Sequence, residues 1–236
     1  MNSFYINFNQ DSPIIAVKDH EYHHIIHVYR HQVGDLIHIS NGQGLKALGK
    51  IINCEKNSLT LSLTEVQMDT RSKVRVACAF ALLKNKHDLL IVEKLTEIGI
   101  NELFPLQTRH SVKIGKEKTV EKMRMASITA LKQCNNAWLP EIHHVQSLEK
   151  ALYQVKVKGY TPLVASEIQN TNEGLRKYIA TQPSASDLCI FIGPEGGWHS
   201  QEIKHFNSLN IPQISLGKNI LRAETAALVA VVQMLG

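Results

Sequence analysis

The sequence predicts an α/β protein in two parts: a small β-barrel over residues 1–71, then an α/β domain with a parallel sheet over 72–236. Two observations carry this. Up to about residue 70 the chain runs as short stretches that alternate apolar and polar residues, punctuated by turn residues, which is the pattern of half-buried strands closing into a barrel. From residue 74 the period changes, and apolar strand-like runs alternate with helical segments, which implies parallel strands covered on both faces.

In the first part, SFYINF, DLIHIS, KALGKIIN and SLTLSLTEV read as strands, and Asn41-Gly42-Gln43-Gly44 reads as a hairpin turn. A short helix is expected over Asp19–His31. In the second part, VRVACAFALL reads as a strand, HDLLIVEKLTEIG as a helix and ELFPL as a strand. TVEKMRMASITALKQC is a long helix, TPLVAS a strand and NEGLRKYIAT a helix. DLCIFIG is a strand, SQEIKHFNSLN a helix capped by Ser200, PQISLG a strand and ETAALVAVVQML a closing helix. The boundary falls near Met68–Lys73, and no internal repeat interrupts the series.

Composition bounds the function. With 44% apolar and 20% charged residues in 236, the chain is of the ordinary globular class. The longest apolar run, Ala226–Val232, is too short to cross a bilayer, and MNSFYINFNQ lacks the basic start and apolar run of a secretory signal. Cys54, Cys78, Cys134 and Cys189 form no C-x-x-C pair, which fits a reducing cytoplasmic location and core positions for the thiols. The formal charge of +5 is concentrated. Residues 1–72 hold six Lys/Arg against seven Asp/Glu, residues 73–132 twelve against six, and residues 133–236 eight against eight. That segment, with Lys84, Lys86, Lys94, Arg109, Lys113, Lys116, Lys118, Lys122 and Arg124, reads either as a solvated face or as a surface for a polyanion, nucleic acid first. Six of the twelve histidines lie within residues 20–38 and add charge to the N-terminal part when protonated near a phosphate.

Several local matches lack the context their chemistry needs. His20-Glu21-Tyr22-His23-His24 has the H-E-x-x-H spacing of a zinc helix, but His27 and Arg30 stand where a third ligand motif would continue, so it reads as a His-rich surface helix and no metal is expected. Gly42-Gln43-Gly44-Leu45-Lys46-Ala47 matches a dinucleotide fingerprint, yet strand-like sequence follows where a helix is required. Phosphate-loop and nucleophile-elbow motifs are absent.

Two C-terminal segments stand out. Asp187–Gly193 is an apolar strand that runs into Pro194-Glu195-Gly196-Gly197, and in an α/β sheet a glycine-rich loop at the carboxyl end of a strand is where ligands bind. Ile214–Gly217 is a second strand, followed by a loop with Arg222 and by Glu224-Thr225 opening the last helix, whose free N–H groups favour negative charge. Arg222 either pairs with a carboxylate to hold the loop or meets a substrate.

GPEGG followed by LGxxILRAETA resembles the C-terminal signature of the SPOUT RNA methyltransferases, more narrowly the RsmE-type 16S rRNA uracil-N3 methyltransferases. The resemblance extends to the N-terminal pattern at His24, Val28, Arg30, Gly34 and Asp35, and to a central block at Lys84, Lys94, Glu97, Gly99 and Pro105. It implies a PUA-like β-barrel before a trefoil-knotted methyltransferase domain that works as a homodimer on 16S rRNA of the small ribosomal subunit, away from membranes. It also implies S-adenosylmethionine, held by Ala165, Ser166, Gly193, Pro194, Glu195, Gly196, Gly197, Leu216, Gly217, Asn219, Ile220 and Leu221. Arg222, Glu224 and Thr225 are the expected catalytic residues, and His24, Arg30, Lys84, Lys94, Arg109 and His110 the expected RNA contacts. Methyl transfer from a sulfonium needs alignment and a nucleophile more than an acid, because the thioether leaves neutral.

The chain departs from the family pattern at Ser3, at Tyr29 within Val28-Tyr29-Arg30, at Arg109-His110-Ser111 and at Gln133-Cys134-Asn135-Asn136. The cofactor half matches and the substrate half has drifted. Two other readings therefore stand beside the enzyme: an RNA-binding or ribosome-assembly protein that has lost catalysis, and methylation of a different RNA.

Overall fold

The computed structural model describes residues 3–166, 173–182 and 186–236. It contains two compact units, Met1–Arg71 with Ile128–Leu139, and Ser72–Ser127 with Pro140–Gly236.

The first unit is a curled five-stranded sheet in the order β1-β3-β4-β5-β2. Its strands are β1 (Ser3–Tyr5), β2 (Ile14–Lys18), β3 (Leu36–Ser40), β4 (Leu45–Cys54) and β5 (Ser58–Met68). β1 runs parallel to β3 and the other pairs are antiparallel. Alternation makes one face apolar: Leu59, Leu61 and Leu63 of β5 pack with Ala47 and Ile51 of β4 and Ile37 and Ile39 of β3. Irregularities in the β4–β5 ladder at Lys46/Leu48 and Ile51/Asn53 add curl. Asn41–Gly44 makes the expected hairpin, where the Asn41 Oδ1 accepts the N–H groups of Gln43 at 2.8 Å and Leu45 at 3.0 Å. Gly44 lies against Trp138, and a Cβ there would stand 2.3 Å from the ring.

The expected helix from Asp19 is shorter than predicted. α1 covers Asp19–His23 and continues as a single wider turn over His24–Val28, after which Arg30 takes a left-handed φ of 60°. The Tyr22 hydroxyl donates to the carbonyls of Glu55 and Lys56 and fixes α1 on the β4–β5 turn.

The second unit is a seven-stranded, wholly parallel sheet in the order β10-β12-β9-β11-β6-β7-β8. The strands are β6 (Val76–Ala81), β7 (Glu102–Leu106), β8 (Glu141–Ile142), β9 (Thr161–Ala165), β10 (Glu173–Gly174), β11 (Leu188–Ile192) and β12 (Gln213–Ser215). The helices are α2 (His87–Glu97), α3 (Glu117–Cys134), α4 (Leu148–Val157), α5 (Leu175–Thr181), α6 (Ser200–Ser208) and α7 (Ala223–Leu235). Both sheet faces are covered. Val76, Cys78 and Phe80 face a core made with α2 and α7, while Ala77 and Ala79 face one made with α4 and α6. Alanines at 223, 226, 227 and 230 allow α7 to lie close on the sheet.

The expectations missed β2, β8, β10 and α4. The first three are short or lie at sheet edges. α4 does carry a helical signal, since Leu148, Ala151, Leu152 and Val155 are buried at i, i+3, i+4 and i+7. Part of the helix expected from Asn172 lies outside the described residues; α5 begins at Leu175. Only two of the four thiols are core residues, since Cys78 and Cys189 are buried while Cys54 and Cys134 are exposed. Burial pushes both core thiols up, away from reactivity. Among the described residues no helix is long and apolar enough to cross a membrane.

The amino ends of these strands are clasped by ions. Glu102, at the start of β7, accepts from Tyr160 Oη at 2.9 Å and lies 2.9 Å from Lys158 Nζ and 2.8 Å from His143 Nε2. Arg75 binds Asp187 at 2.7 Å. Glu102, Glu141 and His143 have the spacing of metal ligands, but the Lys158 ammonium occupies the place a cation would take, 3.0 Å from Glu141 as well.

Candidate active site

The carboxyl ends of the same strands open into a cleft of about 690 Å³. Five chain segments wall it: Asn85 and His87 after β6, Ala165 and Ser166 at the end of β9, Ile192–Glu195 with Gly197 and Trp198 from the end of β11, Ile203 of α6, and Ser215–Gly217, Asn219–Glu224 and Ala226 from the end of β12 into α7. This is where an α/β sheet presents ligand sites, because each strand end releases a loop beside the N-terminus of the next helix.

The glycine-rich loop is held from three sides. Gly193 fits under the Trp198 indole, where a Cβ would stand 3.1 Å from the ring. Trp198 in turn packs edge-on to Phe206 at 5.0 Å and donates from Nε1 to the Ala165 carbonyl at 3.4 Å. The N–H of Gly197 returns to the Pro194 carbonyl at 2.9 Å, closing a turn that uses the positive φ of 70° at Gly197. Behind the loop, His110 Nδ1 lies 3.0 Å from the Gly197 carbonyl and 3.2 Å from that of Gly196, so this nitrogen carries the proton and donates.

α6 is capped by His199, not by Ser200 as expected, since its Nδ1 accepts from the Gln201 N–H. A ring nitrogen can cap where a hydroxyl usually does. The buried Glu202 carboxylate takes the N–H of His199 at 2.8 Å and that of Arg109 at 3.0 Å, which ties the loop after β7 to the start of α6.

The second loop is more open. Gly217, Asn219 and Ile220 are exposed, and Leu216 and Leu221 are half-buried. Arg222 is the N-cap position of α7 and is exposed, with its backbone carbonyl accepting the Ala226 N–H at 2.8 Å. Glu224 lies with Oε1 3.7 Å from His87 Nδ1. Asn85 and Lys86 precede His87 with left-handed φ values of 52° and 63°.

Of the expected cofactor residues, all but Gly196 line this cleft; Gly196 faces the His110 side chain instead. Arg222 and Glu224 line it and Thr225 does not. Sequence reasoning missed Asn85, His87, Ile192, Trp198 and Ser215 as lining residues. Trp198 directly follows the glycine loop and was legible there, whereas nothing in the local pattern announces His87.

The expected RNA contacts are spread. Lys84 and Arg109 are exposed in loops after β6 and β7, and the Lys84 N–H meets Glu195 Oε1 at 3.3 Å. Lys94 is gripped by Glu93 and Glu97, each at 2.8 Å, which pushes its ammonium up. In the first unit Arg30 is exposed, and His24 Nδ1 lies 3.2 Å from Lys132 Nζ. Burial and the Lys132 charge hold the His24 imidazole below its usual range. Glu21 binds Lys132 at 2.8 Å, so the carboxylate of the H-E-x-x-H match serves an ion pair.

A family model described as an RNA methyltransferase domain matches residues 70–235, and one described as an RNA methyltransferase PUA domain matches residues 17–64. The ribosomal RNA small subunit methyltransferase E of Rickettsia conorii is 31% identical over 99% of this chain and 94% of its own. A probable rRNA-methyltransferase from Porphyromonas gingivalis superimposes with a TM-score of 0.82 at 26% identity, covering 100% of this chain and 97% of that one. The fold is shared by ribosomal RNA small subunit methyltransferase E from Neisseria gonorrhoeae, solved bound to S-adenosyl methionine, at a TM-score of 0.86 and 21% identity over 100% of this chain and 98% of that one. With this match over nearly its whole length, the chain belongs to the ribosomal RNA small subunit methyltransferase E family.

Proposed function

We infer that this protein methylates 16S ribosomal RNA of the small subunit with S-adenosylmethionine, at N3 of a decoding-region uridine. The observation that carries the reading is the cleft at the carboxyl ends of β6, β9, β11 and β12, with Arg222 on its wall, in a chain of this family. Its volume is in the range of small-molecule sites, roughly 300–1,000 Å³.

The residues fit the cofactor. Ile192, Leu216, Leu221 and Ala226 give apolar walls for an adenine ring, the loops at Gly193–Gly197 and Gly217–Leu221 bring backbone groups to the cleft, and Glu195 offers a carboxylate to an ammonium. When bound, S-adenosylmethionine supplies an electrophilic methyl group. The chain's own work is then to orient the uracil and manage its charge. N3 of uracil carries a proton, so negative charge grows on its two carbonyl oxygens as N3 becomes nucleophilic. Arg222, exposed at the start of α7, is the cation for that charge. The exposed Lys84, Arg109, Lys116, Lys118, Lys122 and Arg124 provide the phosphate contacts. The homodimer and cytoplasmic location expected from the resemblance belong to the same reading.

The test is methyl transfer with purified protein, labelled S-adenosylmethionine and small subunits from a strain lacking the enzyme. Label recovered in 3-methyluridine supports the reading. Label in another nucleoside redirects it, and cofactor binding without any label favours a binding protein on the same scaffold. Arg222→Ala should lower turnover about 100-fold, the loss typical for one donor to a developing oxyanion, with cofactor affinity nearly unchanged.

A further inference from the structure

We propose that His87, steered by Glu224, is the base that accepts the N3 proton of the target uridine; this rests on the uridine-N3 reading above. The His87 ring lies in the cleft with Nδ1 3.7 Å from Glu224 Oε1, and its side chain is one-third exposed. Glu224 is the only side chain paired with that ring among the described residues. A carboxylate facing Nδ1 orients the imidazole, leaving Nε2 for the substrate.

The other cleft groups are less suited. The Arg222 guanidinium has no lone pair to offer, and Asn85, Ser166 and Ser215 are neutral. Glu195 is exposed and accepts the Lys84 N–H. Glu224 is directed at His87. The charged groups that line the cleft with His87 are therefore Glu224 and Arg222 from the start of α7 and Glu195 from the glycine-rich loop, with Lys84 and Lys86 preceding it in the chain. His87 is also well placed mechanically. It opens α2, its N–H is bonded to the Lys84 carbonyl at 3.0 Å, and the two left-handed residues before it set its direction.

The step balances. The N3–H bond breaks and its proton passes to His87 Nε2. The electron pair left on N3 forms the N–CH₃ bond while the C–S bond of the sulfonium breaks toward sulfur, releasing a neutral thioether. The imidazolium then returns its proton to water.

The experiment compares the full-length wild type with His87→Gln and Glu224→Gln in single-turnover methylation of small-subunit RNA across pH, with nucleoside analysis of the product. S-adenosylmethionine affinity by calorimetry and RNA affinity without cofactor are measured on the same samples. The expected result is a loss of about 100-fold or more for His87→Gln and a smaller one for Glu224→Gln, with both affinities within about twofold. The acid limb of the wild-type rate should vanish in His87→Gln. RNA carrying 5-fluorouridine, whose N3–H is more acidic, should recover much of the lost rate. If the wild type makes 3-methyluridine and His87→Gln makes it equally fast, the base assignment falls and the N3 reading stands. If His87→Gln mainly loses cofactor affinity, His87 is a binding residue and the assignment falls. If the wild type leaves N3 unmethylated, the N3 reading fails and the base falls with it.

Discussion

His110 Nδ1 donates to the carbonyl oxygen of Gly197 at 3.0 Å, from the loop after β7 to the glycine-rich loop after β11. The His110 ring also meets His199 edge-on at 5.2 Å. Hydrogen bonds of this kind contribute about 0.5–1.5 kcal/mol. His110→Ala should therefore weaken S-adenosylmethionine binding by roughly two- to tenfold by calorimetry. A change confined to RNA affinity would show that the ring serves the substrate instead.

The two ends of the glycine-rich loop need glycine for different reasons, so alanine should affect them differently. At Gly193 the constraint is space, because the new methyl must displace the Trp198 ring that holds the wall of the cleft. At Gly197 nothing lies within 4 Å and the constraint is the left-handed φ alone. Gly197→Ala should cost about 1 kcal/mol of stability by urea unfolding, with modest effect on binding. Gly193→Ala should lose at least tenfold in cofactor affinity with a smaller change in stability.

Glu102 is 6% exposed and central to the ionic clasp. Burial pushes its carboxyl up, but hydrogen bonds from His143, Lys158 and Tyr160 outweigh this and hold it at about 2. A carboxyl depressed from its ordinary 4.5 stabilises the fold above that pH, and the contribution disappears as pH falls toward 2. Glu102→Gln should cost about 3 kcal/mol at neutral pH. Urea midpoints of the two proteins should converge below about pH 4. A constant gap across that range would mean that packing, not charge, is lost.

Lys116, just before α3, and Lys118, in its first turn, are exposed. If they contact phosphates, alanine at either site should lower RNA affinity and reduce the slope of log K against log salt by about one. Lys94, already held by two carboxylates, should show little change in that slope.

Much of this architecture was legible because it rests on local pattern. The alternation of Leu59, Leu61 and Leu63 marks a sheet with one buried face, and the unbroken apolar run Leu188–Ile192 marks a strand covered on both sides. Both glycine loops declared themselves by composition, and eleven of the twelve expected cofactor residues line one cleft. The misses are equally physical. α4 is one, although Leu148, Ala151, Leu152 and Val155 recur at helical spacing. Ile128–Leu139 clusters with the first unit, a long-range grouping that no periodicity reports.

The sequence by itself determined which segments become strands, helices and ligand loops, because burial period, glycine and capping residues act over a few neighbours. Only the tertiary structure decided which loops meet. The order β10-β12-β9-β11-β6 places the last strand between two earlier ones, and so brings the Arg222 loop and His87 to one cleft although 135 residues separate them. It also decided that Glu102 faces Lys158 and Tyr160, since strand ends far apart in the chain converge only when the parallel sheet has formed. Pairings of that kind depend on the path of the whole chain, and no window of neighbouring residues contains them.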